Sequence, residues 1–260
     1  MRKHPLIAFF VLAYLLTWWI YPLLKVSPLL GIVGLFGPAL AAIIVAALTE
    51  GKAGVKALLS RAVHWRVGLP WYVVALGLPT LLSLVTAGLY YLLGGSEFIK
   101  VGPLSIFDLV LFVLVVGEEL GWRGYALPQL LKKRSTLTAS LILGVLWGLW
   151  HLPTFLVPGT PQYGLPLAAF VLLTVEYSIL MTWLYLHTSG SVLLATLFHG
   201  AINVSQGVFL GAVSGATRYW LLCIVYGIAA AVAALVLARK SLRESTRAST
   251  HHVSEDSTTS

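Results

Sequence analysis

Three short polar motifs interrupt otherwise apolar stretches of this 260-residue chain. They are Glu118-Glu119-x-x-x-Arg123, Trp147-x-x-x-His151 and His199-x-x-x-Asn203. An ionisable side chain placed in hydrocarbon costs at least ~2.5–3.5 kcal/mol on insertion scales, so such a residue within a membrane span is by default a candidate functional residue. The motifs therefore predict one or more sites of chemistry inside a membrane.

The two adjacent carboxylates of the first motif must have different roles, because neighbouring side chains on a helix point about 100° apart. Glu119 and Arg123 are four residues apart, in the order that favours an ion pair along a helix. This pair would leave Glu118 free to face a cavity and act as a general base. The alternative is a charge cluster that only locks helices together.

The second and third motifs each carry a histidine. His151 follows Trp147 by one helical turn, so the indole could pack against the imidazole, and Pro153 weakens the local helix. His199 and Asn203 share one helix face, from which two polar groups can stabilise a developing oxyanion. Hydrogen bonding between packed helices would also explain them.

Composition identifies the class of protein that carries these motifs. Hydrophobic residues make up 58% of the chain and charged residues 10%, whereas soluble domains have about 25% charged residues. We predict an all-α, polytopic membrane protein with one domain over 1–240 and a disordered cytoplasmic tail over 241–260, which is rich in Ser, Thr and charge. The single Cys223 excludes an intrachain disulfide.

Eight apolar segments are candidate transmembrane helices, each long enough to cross ~30 Å of hydrocarbon. They lie near residues 6–24, 29–49, 70–93, 104–131, 136–156, 166–186, 190–210 and 218–238. The fourth is too long for a plain span, since its length corresponds to about 42 Å of helix, and we expect it to bend or break past Gly121, near Pro128. The first is expected to be a retained span rather than a cleaved signal peptide.

The distribution of basic residues predicts the orientation. With the N-terminus in the cytoplasm, 14 of the 17 Lys and Arg residues lie on the cytoplasmic side, leaving Lys25, Lys100 and Arg218 outside. Both termini are then cytoplasmic in a multi-pass protein of the cell membrane. This topology explains the net charge of +8 without nucleic-acid binding. The segment 51–66 is predicted to be an amphipathic helix on the anionic inner leaflet, with a basic loop as the alternative.

Counting residues from the cytoplasmic ends of the spans places Glu118, His151 and His199 in one buried layer. Two other polar residues lie in apolar segments. Asp108 is near the outer end of its span and could face water. Glu176 could line the cavity, pair with Arg123 or contact another helix.

At these motifs the chain resembles the CPBP family (CAAX proteases and bacteriocin-processing enzymes), also called the Abi or type II CAAX prenyl endopeptidase family. The family pattern is Glu-Glu-x-x-x-Arg, then Phe-x-x-x-His, then His-x-x-x-Asn. The matching residues span 118–203, within a family-like core of about 105–210. Trp147 stands where the family has Phe, which keeps an aromatic ring and narrows the space near His151.

The resemblance implies an eight-helix intramembrane endopeptidase whose site opens toward the cytoplasm. It implies that Glu118, helped by His151, activates the hydrolytic water, while His199 and Asn203 stabilise the oxyanion and the ion pair of the first motif supports the site. The expected substrate is a prenylated CAAX peptide or another hydrophobic peptide, cleaved near its C-terminus. Membrane lipid is expected to surround the protein.

Zinc is the open question in this implied mechanism. Glu118, His151 and His199 could bind it, because three protein ligands plus water form a common catalytic zinc site. A zinc-bound Glu118 would not be a free base, however, and the glutamate-dependent mechanism is favoured.

Two other functions are compatible with the sequence. One is a non-catalytic immunity or scaffold protein that binds a bacteriocin-like membrane peptide. The other is a transporter with a proton-coupled carboxylate, which would suit broken helices and carboxylates near the midplane. The intact set of candidate base and oxyanion residues favours the endopeptidase over both.

Overall fold

A computed structural model of the chain describes residues 3–24, 27, 30–95, 104, 106–211, 213 and 215–256, and side-chain surroundings as far as Arg239 with Phe107 excepted. The described part is helical, without strands. Its helices are α1 (Pro5–Trp18), α2 (Leu30–Gly34), α3 (Gly37–Ala62), α4 (Leu69–Leu92), α5 (Ile106–Leu114), α6 (Val116–Gly121), α7 (Leu127–Leu131), α8 (Thr136–Trp150), α9 (Leu152–Leu156), α10 (Leu167–His187), α11 (Val192–Leu210) and α12 (Gly215–Asp256).

Six of the described helical segments are long and apolar enough to cross a membrane. They are Pro5–Leu23, Leu30–Ala62, Leu69–Leu92, Leu167–His187, Val192–Leu210 and Gly215–Arg239. The chain is thus an all-α, multi-pass membrane protein. The predicted spans 104–131 and 136–156 are divided into shorter helices, of which α8 has 15 residues. The count of eight spans and the cytoplasmic placement of both termini stay predictions.

The predicted span 29–49 and the predicted amphipathic helix 51–66 meet at a kink inside α3. Gly51 has φ 66° and ψ −156°, and the helix continues beyond it to Ala62. This confirms the helix predicted for the basic segment, so the basic-loop alternative is wrong. Its position on the membrane surface stays a prediction.

The last helix, α12, runs from Gly215 to Asp256 and so enters the segment 241–260. The candidate span within it ends at Arg239. Beyond that residue no side-chain surroundings are described, and the disordered tail over 241–260 stays a prediction.

Glycines bring α6 and α8 close to their neighbours. A Cβ at Gly121 would lie 2.7 Å from the carbonyl oxygen of Pro38 in α3, and a Cβ at Gly144 would lie 2.5 Å from Cα of Val175 in α10. Small residues allow this close approach of helix backbones in membrane bundles. The two helices that carry the first and second motifs are therefore held tightly against their neighbours.

Replacing Gly144 with alanine is expected to destabilise the fold by about 1–3 kcal/mol, because the added methyl meets a backbone atom that cannot move aside cheaply. Thermal unfolding of the purified protein in detergent would measure the loss. Gly77→Ala is the matched control, since a Cβ at Gly77 in α4 has nothing within 4 Å. Both changes gain the same helix propensity, so equal unfolding temperatures would contradict the packing argument.

A second set of polar contacts joins α4, α10, α11 and α12. The Oγ atoms of Ser83 and Ser205 are 2.9 Å apart, and the Tyr226 hydroxyl donates to the carbonyl oxygen of Pro79 at 3.1 Å. Gln206 Nε2 donates to the Tyr177 hydroxyl. The bonds of Ser205 and Gln206 hold α11, which carries the third motif, against α4 and α10.

Candidate functional site

The first motif lies at an irregular turn. α6 ends at Gly121, and residues Trp122–Ala126 form a π-helical turn before α7 begins. The predicted break near Pro128 is confirmed as an irregular turn directly before it, because Pro128 has no N–H to donate to the Gly124 carbonyl oxygen, which accepts from Arg61 Nη1 instead. The irregularity precedes it, and π-turns of this kind are frequent at functional sites.

Glu119 is the buried anchor of the site. Its side chain is fully buried, and Arg123 Nη1 donates to its two oxygens at 2.9 and 3.0 Å. This confirms the predicted ion pair. His199 Nδ1 lies 2.8 Å from Glu119 Oε1, a contact that the sequence analysis missed.

The Glu119 contact determines what His199 can do. An ionised carboxylate only accepts hydrogen bonds, so Nδ1 of His199 carries the proton in this pair. Nε2 is then an acceptor in the neutral ring and a donor only in the imidazolium. A donor role toward an oxyanion thus requires a charged His199, and Glu119 is the counter-charge placed to support it.

Glu118 is held by the second motif. Its side chain is 3% exposed, and Trp147 Nε1 donates to Glu118 Oε2 at 2.9 Å. The sequence analysis treated Trp147 only as a packing residue for His151. The sequence did carry a signal for this hydrogen bond, because a buried indole N–H usually finds a partner. A phenylalanine at this position has no such donor.

The Trp147 ring is also the centre of the packing in the site. The Arg123 guanidinium carbon lies 4.5 Å from the ring centroid. The His199 ring packs edge-on at 5.2 Å and the His151 ring at 6.2 Å between centroids. One side chain therefore contacts the key residues of all three motifs.

His151 lies at the break between α8 and α9. Its Nδ1 donates to the Trp147 carbonyl oxygen at 3.0 Å, which leaves Nε2 as an acceptor in the neutral ring. The imidazole is half-buried and packs between the rings of Trp150 and Phe170, with centroids at 4.7 and 5.0 Å. The charge of Glu118 acts on it electrostatically.

Asn203 lies one turn beyond His199 on α11 and is exposed, unlike its buried neighbour. Its amide has no hydrogen-bond partner within the described part of the chain. His199 of the third motif thus joins the cluster around Trp147, whereas the Asn203 side chain is exposed one turn away.

The two further polar residues are placed outside this cluster. Glu176 is buried on the face of α10 toward α12, where its Oε1 is the nearest atom to a Cβ built at Gly227. It therefore contacts another helix, which was one of its three predicted environments. Asp108 is half-buried on α5, on the side of Gly207 in α11.

The described side chains do not fit the zinc site that the sequence left open. Among the described residues, no three His, Cys, Asp or Glu side chains converge as metal ligands. Both histidines keep Nε2 free, because each uses Nδ1 for its hydrogen bond, but no third described side chain is grouped with them as a ligand. We therefore derive no step through a metal.

Comparison with known proteins confirms the resemblance for the segment that carries the motifs. Residues 100–205 match the family model described as type II CAAX prenyl endopeptidase Rce1-like. A CAAX prenyl protease 2 from Methanococcus maripaludis is 34% identical over 132 residues, which cover 47% of this chain and 48% of that protein. The chain thus spans about half the length of the curated relative that it matches.

Proposed function

We propose that this protein is an intramembrane endopeptidase that hydrolyses a peptide bond near the C-terminus of a prenylated CAAX-type or similarly hydrophobic peptide, in the cell membrane. The observation that carries the proposal is the contact between the Glu118 carboxylate and the Trp147 indole, beside the His151 ring. A fixed, buried carboxylate next to an imidazole with a free Nε2 is a pair suited to hold and deprotonate a water molecule.

The hydrolysis would proceed by general acid–base catalysis. Glu118 takes a proton from water, while His151 Nε2 accepts the second hydrogen bond of that water and orients its oxygen toward the peptide carbonyl carbon. The new C–O bond forms as the carbonyl oxygen becomes an oxyanion. Protonated Glu118 then gives its proton to the peptide nitrogen as the C–N bond breaks.

The oxyanion would be stabilised from α11. An imidazolium at His199, paired with Glu119 through Nδ1, donates from Nε2, and the Asn203 side-chain amide adds a second donor from its exposed position. Preorganised donors of this kind contribute strongly in sites that exclude water. Arg123 does not contact the reacting atoms in this scheme and acts through Glu119.

A prenylated substrate is proposed from the family resemblance and from the printed name of the Methanococcus relative. The apolar bundle around the cluster suits a peptide that carries an isoprenoid chain. The contrasting function is a non-catalytic protein that binds such a peptide. Binding alone does not require a carboxylate, two oriented imidazoles and an amide.

The test is incubation of the purified protein, in detergent and in liposomes, with a farnesylated CAAX peptide and its unprenylated counterpart, with products identified by mass spectrometry. We expect loss of the last three residues from the farnesylated peptide. Binding of the peptide without any cleavage, in a folded sample, would support the binding protein and overturn the endopeptidase.

The Trp147 hydrogen bond leads to a separate prediction. Trp147→Phe keeps an aromatic ring but loses the donor, so we expect kcat to fall roughly tenfold to a hundredfold, because a hydrogen bond to a charged group contributes ~1.5–3 kcal/mol. KM should change little, since the indole N–H points at Glu118. Steady-state kinetics on the farnesylated peptide would measure both constants.

Trp150→Phe is the matched control. The Trp150 indole is buried and packs against His151, but its Nε1 has no hydrogen-bond partner in the described part of the chain. Its replacement should leave kcat within about twofold of wild type, since no hydrogen bond is lost. An equal loss in both variants would indicate ring packing rather than hydrogen bonding to Glu118.

A further inference from the structure

A groove lies on the side of α3 that faces away from the candidate site. It extends along α3 from the region of the kink at Gly51 to Val63 and has a volume of about 740 Å³. The residues that matter to its chemistry are Gly51, Lys52, Val55, Lys56, Leu59 and Val63. They belong to one helix, so the groove runs along one face of α3.

The bend is a property of the backbone at Gly51. Its φ of 66° with ψ of −156° is a region that residues with a Cβ essentially do not occupy. A Cβ built there has nothing within 4 Å, so packing does not require a glycine. The conformation of the bend therefore explains the glycine, and Gly51 itself lines the groove.

Two cations border the groove without an acidic partner. Lys52 and Lys56 are exposed, lie one turn apart, and form no ion pair with any residue that the structure describes. The nearest acid in sequence, Glu50, lines a different pocket and accepts from Gln129 Nε2 at 3.3 Å. The two ammonium groups are thus available to an external anion.

The rest of the groove is apolar. Leu59 is 44% exposed and Val63 is 70% exposed, and both continue the face that begins with Val55. On the opposite face, Leu58 is buried, and Arg61 Nη1 donates to the Gly124 carbonyl oxygen in the π-turn at 2.6 Å. The groove therefore has a basic end and an apolar floor that is exposed at the protein surface. The opposite face of the same helix supports the candidate site through Leu58 and Arg61.

We propose that the groove binds an anionic phospholipid, with the headgroup phosphate between Lys52 and Lys56 and an acyl chain along Val55, Leu59 and Val63. Charge complementarity selects the anionic headgroup, and the apolar floor selects an amphiphile over a free anion. Each basic residue near a membrane surface adds to the attraction of anionic lipids. A basic prenylated peptide would be repelled by the same two lysines.

The experiment is a titration of the delipidated full-length protein with dioleoylphosphatidylglycerol, dioleoylphosphatidylcholine and inorganic phosphate, read by native mass spectrometry. For the double variant Lys52→Gln/Lys56→Gln we expect roughly tenfold to thirtyfold weaker binding of the first retained phosphatidylglycerol molecule. Phosphatidylcholine binding should not change. Lys132→Gln/Lys133→Gln, which removes two exposed lysines outside the groove, is the matched control and should bind phosphatidylglycerol as wild type does.

Three results would overturn the proposal. One is equal phosphatidylglycerol binding by the groove variant and wild type. Another is equal wild-type affinity for phosphatidylglycerol and phosphatidylcholine. The third is displacement of bound phosphatidylglycerol by millimolar inorganic phosphate, which would indicate a site for the free ion. Peptidase activity plays no part in this readout, so the result is independent of the proposed function.

Discussion

Glu118→Gln is expected to lower turnover of a farnesylated CAAX peptide by about 10²–10⁴-fold, the contribution typical of a positioned general base. Glutamine has nearly the shape of glutamate, and its amide oxygen can still accept the Trp147 N–H, but it cannot take a proton from water. The fold should persist, because the buried ion pair belongs to Glu119 rather than Glu118. Initial rates and the thermal unfolding of the same sample would be measured together.

Glu176→Gln is the control for this substitution. Glu176 is also a buried glutamate in the same bundle, but it faces α12 and contacts none of the motif residues. Its rate should stay within about threefold of wild type if a base must contact the reacting water. Normal turnover by Glu118→Gln would remove the assigned base, and loss of activity in both variants would point to a general effect of removing buried carboxylates.

The local parts of the site could be predicted from the sequence because helix geometry is local. The Glu119–Arg123 pair depends only on a spacing of four residues, and the alignment of Glu118, His151 and His199 in one layer depends only on distance along each helix. The ion pair is present in the structure, and Glu118, His151 and His199 gather around Trp147. The apolar composition was likewise sufficient for the all-α membrane class.

The contacts between helices could not be predicted in this way. Trp147 reaches Glu118 across 29 residues of sequence, and His199 reaches Glu119 across 80. These contacts depend on which face each helix turns toward its neighbours, and that is decided by close approaches such as Gly121 against Pro38. Hydrophobic patterning carries little orientation information in helices that are apolar on all sides.

The break near Pro128 was predicted, but its form as a π-helical turn was not. Proline is the strongest local signal for a helix break, and the irregular turn ends two residues before Pro128. The irregular residues are Trp122–Ala126. Arg61 donates to the Gly124 carbonyl oxygen there, so a long-range contact satisfies backbone that regular α-helical bonding would otherwise use.

Arg123→Ala is expected to be the most destabilising single change in the site. It leaves the fully buried Glu119 carboxylate with His199 as its remaining described partner, and breaking a buried ion pair by removing one member costs ~3–5 kcal/mol. We expect a marked loss of folded protein on expression and a lower unfolding temperature in detergent. Unchanged yield and stability would mean that the pair is not structurally important.

A double-mutant cycle separates the ion pair from the other contacts of Arg123, which also packs over the Trp147 ring. Glu119→Gln removes the buried charge and still accepts the hydrogen bond from His199 Nδ1. Arg123→Ala should therefore destabilise the Glu119→Gln background much less than it destabilises wild type, by a coupling of about 0.5–3 kcal/mol. Strict additivity of the two changes would assign the cost of losing Arg123 to packing over Trp147, and Glu119 would then need another source of stabilisation for its charge.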